Sequence, residues 1–147
     1  MRSLVELETR LEDVIVGRSE KPSAEELLKY GEEVLERWIE AKDENPTTDK
    51  YEGFRLLALQ RQGARGDASF NACRETCREL IYHFNLLSKM NLSSEDTTSC
   101  LQMMTLVANH LVLFVGGKMQ QAKLGDFCCS AKPLHENIYD LPEVTDA

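Results

Sequence analysis

Positive charge is in short supply in this sequence. Seventeen Lys and Arg stand against 25 Asp and Glu, a formal net charge of −8. Such an excess disfavours a general nucleic-acid binder, which needs a basic face, and disfavours an anionic membrane surface as partner. The start, MRSLVELETR, mixes acids with its apolar residues and lacks the basic region and apolar stretch of a secretory signal. An unbroken apolar run is missing too. The most apolar segment, Leu101 to Val115, is interrupted by Gln102, Asn109 and His110, which makes it too short and too polar to span a bilayer. The expectation is a soluble, cytoplasmic chain with neither nucleic acid nor membrane as partner.

Other absences narrow the chemistry. The five cysteines, Cys73, Cys77, Cys100, Cys128 and Cys129, are odd in number and read as reduced thiols, not a disulfide framework. There is no internal repeat, no low-complexity stretch and no sustained period-two alternation of the kind strands require. The glycines around Arg65 lack the lysine and preceding strand of a phosphate loop. No Ser-His-Asp or Cys-His-Asp set can be placed on one surface. Catalytic residues and a cofactor are therefore not nominated.

What the sequence does contain is helical periodicity. Ser3 with Glu6, and Ser23 with Glu26, have capping-box spacing, and apolar residues follow each at three- and four-residue steps. Helices are expected over residues 3–16, 23–43, 48–62, 67–90 and 94–123, the fourth capped by Asp67 and the fifth by Ser93 or Ser94. The fold expected is all-α: one domain, a bundle of about five helices over 1–124. Its core would be a long antiparallel hairpin (67–91, 94–123), followed by an irregular C-terminal tail, 125–147, packed on the bundle or partly disordered. A chain of 147 residues can bury such a core without staples. In the fifth helix apolar residues fall on every side between Leu101 and Val115. Enclosure by protein on all sides is expected, the alternative being a side that faces a partner. Gly116-Gly117 is a candidate kink or stop.

Three groups of residues are candidates for a site. Cys73 and Cys77 lie one helical turn apart, so both thiols can face one metal ion, with Cys100 as a third ligand; zinc takes about four. Pairs at this spacing resemble those of copper-storage bundles, which carry many where this chain has one. Burial in the core is the competing reading, since free Cys is among the most buried residue types. Arg55, Arg61, Arg65, Arg74 and Arg78 form a basic cluster in an acidic chain, suited to an anion or an acidic partner at the start of the fourth helix. The competing reading pairs Arg74 and Arg78 with Glu75, Glu79 and the acidic face of residues 23–43. His110, followed by Leu111-Val112-Leu113-Phe114, is expected to be buried, within reach of His83 across the hairpin.

The function expected is that of a non-enzymatic interaction, regulatory or assembly factor, with another protein or a second copy of itself as partner. The alternatives are a thiol-based metal or redox bundle using Cys73 and Cys77, and an anion-binding or small-ligand bundle near Arg61 and Arg65.

Overall fold

Two helix starts are set by the same local device. Ser3 and Ser23 each accept a hydrogen bond from the amide three residues on, while Glu6 and Glu26 accept from the serine amides at 2.8 and 2.9 Å. Each box satisfies two amides that a helix N-terminus leaves unpaired. From these caps run α1 (Leu4–Ile15) and α2 (Ala24–Ala41). Leu7, Leu11 and Val14 are the buried stripe of α1; Leu27, Val34, Leu35 and Ile39 are part of that of α2.

The computed structural model describes residues 2–124; the expected tail, 125–147, with Cys128 and Cys129, lies outside the described residues. The rest of the order is α3 (Arg55–Gly63), a 3-10 helix (Ala68–Cys73), α4 (Arg74–Lys89) and α5 (Ser94–Ala122). The described chain is thus all-α, as its periodicity implies. Its one bridge outside the helices joins Tyr51 to Phe54. α4 and α5 form the expected antiparallel hairpin. Cys100, early in α5, meets the His83 carbonyl late in α4, and Phe114 packs on Phe70 just before α4. α2 lies centrally, in contact with α1, α3, α4 and α5.

The structure corrects the sequence reading at three places. The third helix starts at Arg55, seven residues later than the expected 48, because Tyr51 and Phe54 close a tight turn with two 3.0 Å backbone hydrogen bonds. Glu52 and Gly53 occupy its centre with φ of 54° and 86°, which no helix tolerates. Asp67 does not cap the fourth helix, whose first residues wind as a 3-10 helix. In that winding i and i+3 eclipse, so Phe70 and Cys73 both point into the core. The Asp67 carboxylate instead accepts from the Ser69 hydroxyl and pairs with Lys118 at 3.0 Å, and the two hold its carboxyl below the usual range.

The third correction concerns α5, which is not enclosed on all sides. Met104, Ala108, Leu111, Val112 and Val115 are buried, but Met103, Leu106 and Leu113 are 49%, 49% and 52% exposed. Gly116 and Gly117 neither kink nor end the helix. It continues to Ala122 and stops at Lys123, whose left-handed backbone lets the Leu124 amide bond to the Met119 carbonyl. At 29 residues α5 is long and apolar enough to cross a membrane, a length that the segment Leu101–Val115 understates. Here it packs along α1, α2 and α4.

The tightest junction gathers four elements around Trp38. Its indole N–H donates to the Gly63 carbonyl at 3.0 Å, and its ring stacks on Phe70 with centroids 5.0 Å apart and planes 6° from parallel. Phe70 in turn meets Phe114 at 5.7 Å. A Cβ added at Gly63 would sit 2.9 Å from Phe70 and 3.0 Å from Trp38, so the α3 terminus approaches as closely as it does only because Gly63 has no side chain. Gly63→Ala is expected to destabilise the fold by about 1–3 kcal/mol through forced repacking of both rings. Urea titration followed by Trp38 fluorescence measures it, and an unchanged midpoint would show that the junction is loose.

Candidate functional site

The outer stripe of α5 is the first candidate. Ser99, Met103, Leu106, His110, Leu113 and Gly117 are all exposed and recur at steps of four and three residues, the spacing of a helix–helix seam. α5 carries no Asp, Glu, Lys or Arg from Thr97 to Gly117. The stripe continues sideways into a groove of about 450 Å³ where Leu106, Gln102 and Thr105 face Val14, Ile15 and Val16 at the end of α1. Val16 and Ile15 are themselves exposed, which widens the apolar patch. His110, expected to be buried, stands in the middle of this face. Nor does it approach His83, which lies opposite Cys100, ten residues and so about 15 Å along the helix.

The basic cluster divides in two. Arg55 and Arg78 are consumed within the fold. Arg55 donates to the Thr47 carbonyl and pairs with Glu32 and Glu36 of α2. Arg78 forms a two-pronged pair with Glu52 at 3.2 and 3.1 Å, which holds the Glu52 carboxyl below its usual range. The expected pairing of arginine with the α2 acidic face therefore exists, but Arg55 makes it, while Arg78 turns to the 51–54 turn. Glu32, half-buried beside Arg55, is nonetheless raised, because desolvation outweighs the guanidinium.

Arg61, Arg65 and Arg74 form no ion pair among the described residues. Arg61 and Arg65 line a concave surface beside the C-terminal end of α3, and Arg74 lies next to it. Thr47, Asp49, Lys50, Tyr51, Arg61, Arg65 and Asn71 contribute to a cleft of about 510 Å³, and Arg61 also borders a smaller hollow shared with Arg74. The Arg61 guanidinium lies 4.1 Å from the centre of the Tyr51 ring, a cation–π contact. The cleft wall is rigid: Gln62 is buried, accepts from the Thr47 amide and donates to the Asn45 carbonyl, each at 2.8 Å. Composition marked the arginines. Lys50 and Tyr51 escaped it because the misassigned start of the third helix hid the turn beside them, and Asn71 because it stands on a 3-10 helix read as the start of the fourth helix.

Cys73 and Cys77 come together and Cys100 does not join them. Both paired thiols are buried, Cys73 donates to the Phe70 carbonyl at 3.2 Å, and its hydrogen bond with Cys77 together with burial pushes the Cys77 thiol well up. Cys100 lies by the His83 carbonyl, 3.8 Å away. Among the described residues no three metal-ligating side chains gather.

The hydrogen bond from Cys77 shifts the Cys73 thiol down while its partner is shifted up, but burial of both sulfurs keeps reagents from either. Peptide mapping after brief treatment of native protein with iodoacetamide should find Cys73 and Cys77 unmodified, and Cys77→Ser should cost on the order of 1–3 kcal/mol by leaving a hydroxyl in apolar surroundings. Rapid labelling of Cys77 in folded protein would contradict this packing.

No family model, no curated protein and no solved structure matches this chain.

Proposed function

We propose that this chain is a helical interaction module whose working surface is the outer stripe of α5, and that the stripe packs against its counterpart on a second copy of the chain. The observation that carries the proposal is the conjunction of two properties in one place. Met103, Leu106 and Leu113 are half-exposed on one helix face, and that helix is uncharged from Thr97 to Gly117. Monomers rarely leave contiguous apolar patches open unless they serve binding. The charge pattern favours self-association over a charged partner. Two chains of net charge −8 repel each other across most of their surfaces, and the α5 stripe is where they meet without that repulsion. Alternating steps of three and four residues let side chains of one helix enter the spaces of another at a shallow crossing angle. Such a module suits a regulatory or assembly role in which pairing is the event that matters.

Light scattering after size exclusion, over a concentration series, should give a mass approaching twice the 16.7 kDa of one chain. Leu106→Glu with Leu113→Glu should weaken the pairing about a hundredfold, roughly 2.7 kcal/mol, through desolvated and mutually repelling carboxylates. Because both positions are half-exposed, far-ultraviolet dichroism of the double variant should match that of the parent. A mass that stays at one chain throughout, or flotation of the chain with lipid vesicles through this stripe, would refute the assignment.

A further inference from the structure

We infer that the cleft lined by Lys50, Tyr51, Arg61, Arg65 and Asn71 binds a phosphate monoester. The site is separate from the α5 stripe and does not depend on it. Four observations point the same way.

The first is the charge that remains after internal pairing. Of the five clustered arginines, Arg55 and Arg78 already hold carboxylates, while Arg61, Arg65 and Arg74 hold none among the described residues. Where guanidinium and ammonium groups outnumber the carboxylates around them, the fold leaves an electropositive concavity in an otherwise negative field. Lining charges fix the valence. Lys50, Arg61 and Arg65 face one carboxylate, Asp49, so the cleft has two positive charges in excess. That matches a phosphate monoester, which carries about −1.5 to −2 at neutral pH, better than a single carboxylate.

The second is preorganisation. The Arg61 guanidinium carbon sits over the Tyr51 ring, 4.1 Å from its centre, a contact that narrows the positions the group can take before a ligand arrives. A guanidinium edge offers two parallel N–H donors that match two phosphate oxygens. The third is a set of neutral donors on the same wall. The Asn71 side-chain oxygen accepts from Gln60, which leaves its NH₂ unengaged, and the Thr47 hydroxyl oxygen accepts from the Asp49 amide, which leaves its own proton to donate. The fourth is size. About 510 Å³ holds a phosphate and the sugar-sized or side-chain-sized group that bears it.

Two sources present the same dianion: a small phosphorylated metabolite and a phosphorylated side chain of a protein. Titration calorimetry of the full chain with ribose 5-phosphate in one arm and a short phosphoserine peptide in the other separates them. Binding in either arm, at a dissociation constant on the order of 0.1–1 mM or tighter, supports the proposal and identifies the source. The double variant Arg61→Gln, Arg65→Gln should weaken that binding at least about tenfold. Arg18→Gln, at the end of α1 and paired with Asp13, should leave it within about twofold. Thermal unfolding of the ligand-free double variant should stay within a few degrees of the parent, because both side chains are exposed and only the Arg61 contact with Tyr51 is lost. Absence of heat in both arms, or equal losses in the double variant and in Arg18→Gln, would overturn the site.

Discussion

The junction at Trp38 sets α2, α3, the 3-10 helix and α5 against one another. One side chain on α2 hydrogen-bonds the last residue of α3, stacks on the 3-10 helix and, through Phe70, reaches Phe114 on α5. Stacked aromatic pairs contribute about 0.5–1.5 kcal/mol beyond the area they bury. Their larger effect here is geometric. With Gly63 held against Trp38, α3 ends at a fixed height on α2, and Arg61 and Arg65 are presented together at its end. Lys42 and Lys118 lie 5.1 and 6.0 Å from the Trp38 ring and cover the junction from the solvent side. A second crossing reinforces it. At Gly31 a Cβ would stand 3.0 Å from Leu80 and 3.1 Å from Leu56, so α2, α3 and α4 pack closely enough there that a methyl group would have to push both leucine ends aside.

Local chemistry was legible in the sequence wherever the interaction that decides the structure spans three or four residues. The Ser3 and Ser23 boxes, the stripes of α1 and α2, and the turn from α4 into α5 are of that kind. The misreadings at residues 48–54 and 67–73 have different causes, and only at 67–73 did distant partners override local pattern. Asp67 has the identity of a cap, but Lys118, on another helix, takes its carboxylate, and the pull of Phe70 under Trp38 tightens the winding that a cap would have started. At Glu52-Gly53 the signal was present. A glycine at the second centre of a two-residue turn, between Tyr51 and Phe54, is hairpin chemistry, and the helical spacing of aromatic residues outweighed it.

The arginines illustrate the limit of reading charge from composition. All five lie within one stretch, and sequence proximity gives them one fate. Partners across the fold divide them. Arg55 reaches α2, whose Glu32 and Glu36 are half-buried at the side of a central helix and not on an outer face. Arg78 meets Glu52 only because the 51–54 turn carries that carboxylate to it. The candidate site is the remainder, and a remainder can be counted only after the tertiary pairs are known. The cysteine pair is the converse case. Its spacing was compatible with a metal, and its place in the buried stripe already favoured packing.

For α5 the sequence left open which side of an all-round apolar helix would be covered. Three neighbours, α1, α2 and α4, pack along α5, and the side left open is determined by where they pack. The cleft lies beyond α3, which packs on α2 and α4, so those two helices stand between it and the stripe. This separation has a physical consequence. An apolar, uncharged seam gains from salt, or at worst is indifferent to it, whereas a cleft built on exposed guanidinium groups loses affinity as salt screens it. Ionic strength should therefore move the two surfaces in different directions, a dissociation that a single extended interface could not show.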